Sequence, residues 1–171
     1  MNELTVLMYL LSRKTYKSKI GATEGEILNA LNVKDKNKSI YFQNLINNLS
    51  NYLEPLNLQI RFNPLNSYWY ISFDPETNEI ISANPFNGNP RLAATLFCTL
   101  ICCFNSSGET TIQKIKDIRK KKGVLEDIKE LKRMGFVTIE KNLNKVSLTP
   151  LIGYLIDLEK LFLKTALKLR K

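Results

Sequence analysis

The 171-residue chain is predicted to be mainly α-helical with small β hairpins, an α+β protein that runs twice through the same order of elements before a long final helix. Two observations predict this. On each side of the Asn-, Pro- and Gly-rich stretch "ANPFNGNPR" at 83–91, apolar residues recur at helical spacing in three successive segments, and two short β-prone runs around a turn follow them. Composition agrees, because 44% apolar and 24% charged residues belong to a globular chain, and this length suffices for one ordinary core or two small ones.

In the first half, Leu4, Leu7, Met8, Leu10 and Leu11 form one helical face. Thr23 with Glu26 makes a capping-box pattern ahead of Ile27, Leu28 and Leu31, so a second helix begins there. Phe42, Leu45, Ile46, Leu49 and Leu53 give a third helix from about Ser39, and Pro55 prevents its continuation. "LQIRF" then alternates, "NPLNS" turns and "YWYISF" is aromatic and β-prone, the pattern of a hairpin. Helix, helix, helix, hairpin is the order of a winged helix.

The second half repeats it. Leu92 to Phe104 is the first helix, "NSSGET" a loop, and Ile112, Ile115 and Ile118 the buried stripe of a short second helix. Leu125, Ile128, Leu131 and Met134 mark a third helix, stopped at Gly135, before the strands "FVTIE" and "KVSLT" around the turn "KNLN". A last helix starts at Pro150, a residue suited to a first helical turn. Leu151, Leu155, Leu158, Phe162, Ala166 and Leu169 form its main stripe, while Ile156, Leu163 and Leu167 lie away from it. The second apolar surface predicts a partner chain, with Leu155, Leu158, Phe162, Leu163 and Leu167 as the candidate protein interface. The predicted domains are thus 1–83, a first winged helix; 84–90, a linker; 91–149, a second winged helix; and 150–171, a C-terminal amphipathic helix.

With 25 Lys plus Arg against 16 Asp plus Glu and no histidine, the net charge of +9 favours acidic partners. Residues 1–89 carry 8 basic and 8 acidic side chains, so the remaining 17 and 8 put the whole excess in the second half. The opening "MNELTVLMYLLSRK" lacks the order of a signal peptide, and the most apolar run, Leu92 to Phe104, is shorter than the roughly 20 residues of a spanning helix. A cytoplasmic protein is expected. Three cysteines in "FCTLICCF" read as small buried hydrophobes, since no histidine or fourth cysteine completes a zinc site. Without a glycine-rich phosphate loop either, an enzyme is disfavoured: no catalytic residue, metal, cofactor or small-molecule substrate is expected. The carboxylate pairs Asp74 with Glu76 and Asp157 with Glu159 read as solvated surface acids.

In groove-reading proteins the third helix meets base edges while cations meet phosphates. The third helix of the first half exposes Gln43, Asn44, Asn47, Asn48, Ser50 and Asn51, with no Lys or Arg from Ser39 to Ile60. In the second half the third helix opens with Glu126 and Asp127, and its exposed set, completed by Lys129, Glu130, Lys132 and Arg133, is balanced. The unmatched cations are Arg119, Lys120, Lys121 and Lys122 in the turn and Lys141 and Lys145 in the wing, which read equally as candidates for weak, non-specific phosphate contact and as solvated charges that keep the domain soluble. Holding a protein is the expectation these charges support.

The tandem order, "LEPLNLQIRFNPLNSYWYISFD" and "TIQKIKDIRKKKGVLEDIKELKRMGFV" resemble the family of segregation and condensation protein B, the kite (kleisin-interacting tandem winged-helix) subunits of prokaryotic condensin. Thr111, Ile115, Ile118, Arg119, Gly123, Val124, Leu131, Gly135, Phe136 and Val137 occupy the places of the family's Thr, Ile-x-x-Ile-Arg segment, turn and Leu-x-x-x-Gly helix end. "KKKG" is longer and more basic than the family's usual link, and the leucine-rich terminal helix is also a departure. The resemblance implies a non-catalytic homodimer that joins through its first domains and binds the kleisin subunit of an SMC complex mainly through its second, in a role in chromosome segregation and condensation, nucleoid-associated within the cytoplasm. Two other readings stay open on the residues alone: a DNA-binding tandem winged-helix regulator, and a winged-helix scaffold of membrane-remodelling machinery.

Overall fold

A computed structural model describes residues 2–16, 19–33, 37–74, 86–140, 144–158 and 161. The chain divides into two compact units, Met1–Ala83 and Asn84–Lys171. Both combine helices with small antiparallel sheets.

In the first unit α1 spans Glu3–Ser12, β1 Lys14–Tyr16, β2 Lys19–Ile20, α2 Glu24–Ala30 and α3 Lys38–Leu53. A short 3-10 turn, Glu54–Leu56, leads into β3, Leu58–Asn63, and β4, Tyr68–Phe73. The capping box is in place: Glu26 N–H donates to Thr23 Oγ1 at 3.2 Å, and Thr23 N–H to Glu26 Oε2 at 2.8 Å. α3 buries Phe42, Leu45, Ile46, Leu49 and Leu53 against Leu7, Leu10 and Leu11 of α1 and Ile27 and Leu28 of α2. Trp69 of β4 closes this core, its ring edge-on to Phe42 at 5.4 Å. Gly21 has a left-handed backbone (φ +93°), and a Cβ there would stand 1.9 Å from the Trp69 carbonyl oxygen. Only glycine permits that approach, which lets Ala22 bridge to Trp69.

In the second unit α4 spans Pro90–Phe104, β5 Glu109–Thr111, α5 Ile112–Arg119 and α6 Val124–Arg133. β6, Val137–Glu140, and β7, Lys145–Leu148, follow, and a sheet of order β5-β7-β6 results. Its core gathers Leu92, Leu96, Leu100, Cys102 and Cys103 of α4 with Ile115, Val124, Ile128, Leu131, Val137, Val146 and Ile152. Gly135, left-handed at φ +85°, ends the α6 region as its place in the sequence requires, and Phe136 N–H returns to the Leu131 carbonyl at 2.9 Å.

Three expectations need correction. Ile118 is not part of a buried stripe: it is 50% exposed, because α5 is only two turns long and ends at the next residue. The terminal helix is not continuous from Pro150. α7 covers Leu151–Leu155, Ile156 is extended (φ −122°, ψ 127°), and a new helical start follows, with Leu161 N–H donating to the Asp157 carbonyl at 2.9 Å. Gly153 weakens the first segment, and Asp is a favoured cap for the second. Finally, α3 begins at Lys38, so this helix carries one cation at its first residue.

Candidate functional site

The basic turn joins α5 to α6 through two left-handed residues. Thr111 opens α5 by accepting from Lys114 N–H at 3.3 Å. Lys120 closes it at φ +48°, its N–H donating to the Lys116 carbonyl at 2.9 Å, and Gly123 at φ +83° precedes α6. Lys121 and Lys122, between them, are exposed.

Behind this turn the first residues of α4 hold the start of α6. The Arg91 guanidinium lies against Gly123, where a Cβ would meet its Nη1 at 3.3 Å. Arg91 donates to Asp127 Oδ1 through Nε at 2.9 Å and Nη2 at 2.6 Å, and Thr95 Oγ1 donates to Asp127 Oδ2 at 2.8 Å. Asp127 is only 4% exposed. The expectation that it stands as an exposed acid at the helix tip is therefore overturned: it faces inward, hydrogen-bonded at both oxygens, and its charge is matched by Arg91. Glu130 is likewise neutralised by Arg133, with contacts of 2.8 and 2.6 Å, and hydrogen bonding from that guanidinium holds its carboxyl below the usual range.

The remaining candidates separate. Lys145, expected as an unmatched wing cation, pairs with Glu109 at 3.1 Å across β5 and β7, a bond that raises its ammonium pKa. Arg119 is half-buried with its Nε lacking a partner, and its charge partly opposes the upward shift that burial gives the Cys98 thiol. Lys141 lies outside the described residues. By contrast, Lys116, Lys120, Lys121, Lys122, Lys129 and Lys132 are exposed, and none has an ion-pair partner among the described residues.

The third helix of the first unit presents another surface. Gln43, Asn44, Asn47, Asn48 and Asn51 are exposed on α3 together with Ile40 and Tyr52, which are 63% and 67% exposed. An open recess of about 620 Å³ between the start of α1 and α3 is lined by Asn2, Glu3, Leu4, Leu45, Asn48, Asn51 and Tyr52. Glu3 is its one charged residue; its hydrogen bond with Tyr41 raises the phenol pKa and ties the two helices together.

At the C-terminal end Leu155 is 49% exposed, whereas Leu158 is 5% exposed and so is covered by this chain rather than offered to a partner. Phe162, Leu163 and Leu167 lie outside the described residues. Cys102 and Cys103 are buried, but Cys98 is only half-buried, and no cluster of three metal-ligating side chains occurs among the described residues. No helix among them is long and apolar enough to cross a membrane.

Reading the residues one by one missed Arg91 and Thr95. Their signal was present: two polar residues four apart at the start of an otherwise apolar helix, with Thr99 another turn on. Nothing local tied them to an acid more than thirty residues away.

No protein-family model matches the chain, and no curated protein does. Among solved structures, it is similar to the crystal structure of ScpB from Mycobacterium tuberculosis at 10% identity, over 86% of this chain and 88% of that one, with a TM-score of 0.34. It is also similar to a conserved hypothetical protein from Chlorobium tepidum at 13% identity, over 89% and 94%, with a TM-score of 0.37. Both likenesses are long in coverage and loose in superposition.

Proposed function

We propose that this chain is a non-catalytic scaffold of two winged-helix domains, a kite-like homodimer that holds the kleisin of an SMC complex. One observation carries the protein-binding part of this reading: the exposed face of α3 is made of amides with Ile40 and Tyr52, and its one cation is Lys38 at the helix start. Such a face gains little from a polyanion, whose affinity comes from cations. It suits a polypeptide, because amide side chains pair with peptide groups, exposed aromatic and aliphatic groups supply burial, and a neutral patch avoids repulsion between identical copies. The kleisin as the particular partner, and a nucleoid setting, follow from the sequence resemblance. Leu155 is kept as an interface residue on its exposure.

The test is to purify the chain with the kleisin of its own organism and weigh the mixture by size-exclusion chromatography with light scattering. A dimer alone and a two-to-one complex with kleisin are expected, and Ile40→Glu with Tyr52→Glu reduces the chain to a monomer without lowering its melting temperature. A chain that is monomeric at tens of micromolar, or that ignores the kleisin, removes the reading.

A further inference from the structure

The lysines of the α5–α6 turn are left without a role by that reading, and the structure changes what their neighbours can do. The three acids of α6, Glu126, Asp127 and Glu130, are the reason to expect repulsion of a phosphate backbone there. Two of the three are withdrawn: Asp127 is buried on Arg91 and Thr95, and Glu130 is held by Arg133. Glu126 remains exposed. At about 100° per residue, Lys129 and Lys132 fall within about 60° of each other on one flank of the exposed arc of α6, and Glu126 and Glu130 fall on the other. Lys132 therefore lies about 120° around the helix from the residual acid Glu126, with Lys129 about midway between them.

We infer that Lys116, Lys120, Lys121, Lys122, Lys129 and Lys132 form a site for the phosphate backbone of duplex nucleic acid, which grips without reading sequence. The chemistry of the side chains selects this ligand. All six are ammonium groups, point charges without the guanidinium fork that grips a single carboxylate at two points. Six unpaired ammoniums gain most from a polyanion of dense regular charge, because neutralising its phosphates releases condensed counterions. A membrane surface would need an apolar wedge beside the charge, and the turn offers one exposed aliphatic residue, Ile118. Base reading is not expected, because Glu126 is the exposed side chain of the first turn of α6. The inference is independent of the kleisin and of the dimer.

Fluorescence anisotropy with two unrelated 30-base-pair duplexes tests it on the full chain. If three to four phosphates are neutralised, affinity falls about 40- to 150-fold between 50 and 200 mM salt. Both duplexes should bind within about threefold of each other. Lys116→Gln, Lys121→Gln and Lys122→Gln together should weaken binding at least about tenfold and flatten the salt slope. The charge-matched control, Lys14→Gln, Lys19→Gln and Lys38→Gln in the first unit, should change it less than about twofold. Glu126→Gln should strengthen it a few-fold, a gain that misfolding cannot mimic. Equal losses in the two triple variants would assign the effect to net charge and overturn the site. So would no binding at 50 mM salt, a tenfold preference for one sequence, or binding to phosphatidylserine vesicles but not to duplex.

Discussion

At the residue scale the second unit is governed by an asymmetric ion pair. The side chain of Asp127 is 5% exposed and that of Arg91 is 60% exposed, so removing either partner leaves a different remainder. Arg91→Ala strands a buried carboxylate with one hydroxyl donor, whereas Asp127→Asn returns an arginine to water and keeps a polar partner for Thr95. Removing one member of a fully buried pair costs about 3–5 kcal/mol; solvent around Arg91 reduces this to about 2–3 kcal/mol for Arg91→Ala, with about 1 kcal/mol for Asp127→Asn. Urea unfolding followed by far-ultraviolet circular dichroism gives the order, and the reverse order would refute the account. Cys103 supplies a pH test. Burial first, then the neighbouring Cys102 and Glu109, push its thiol from 9.0 to about 11. Below the unfolded value both states keep the proton, so the contribution is intact; as pH rises from about 9 to about 11 the unfolded thiol ionises and the folded one does not. Stability is lost across that window, by roughly 3 kcal/mol relative to a Cys103→Ala variant measured in parallel. Arg91 passed unnoticed at the start of α4, but the acid at a helix start and the thiols on an apolar helix were legible in the sequence. The ion pair was not, because Asp127 at a helix start reads as a solvated dipole partner until the fold brings Arg91 beside it.

At the element scale, periodicity served best where a helix had one long apolar face. α3 shows this: its five predicted core positions are the five it buries. The short strands were invisible for a physical reason. β1, β2 and β5 have two or three residues each, too few to show alternation, and partners distant in sequence support the strands around them, as Val146 does for Thr110. The terminal segment was misread for the opposite reason, since an unbroken apolar stripe hid the combined effect of Gly153 and Asp157. The break at Ile156 divides residues that the stripe treats alike. Leu158→Glu would place a charge at a buried position and should cost about 3 kcal/mol or more, while Leu155→Glu should alter stability by less than about 0.5 kcal/mol. If Leu155 belongs to an assembly contact, its variant instead lowers the mass measured by light scattering at an unchanged melting temperature. Equal destabilisation by the two changes would mean that the helix continues through Ile156.

At the scale of the whole molecule the two units differ in charge and in the signals they emit. The first 89 residues are neutral and the remainder carries the full +9, so the amide-rich face of α3 and the basic turn fall in separate compact units. Separate cores imply that stability is separable too. The single tryptophan, Trp69, lies in the first unit, half-buried against Phe42 and Phe62, so its fluorescence reports that unit's unfolding, whereas circular dichroism reports helices in both. Arg91→Ala acts at the junction of α4 and α6, inside the second unit. A loss of 2–3 kcal/mol in a domain of this size should lower its melting by about 10 °C or more. The expected result is a dichroism trace that splits into two steps, the lower one shifted, while the tryptophan midpoint stays within about 1–2 °C of wild type. Should the fluorescence midpoint fall with the dichroism, the units unfold as one cooperative body, and substitutions in either could no longer be read as reports on that unit alone.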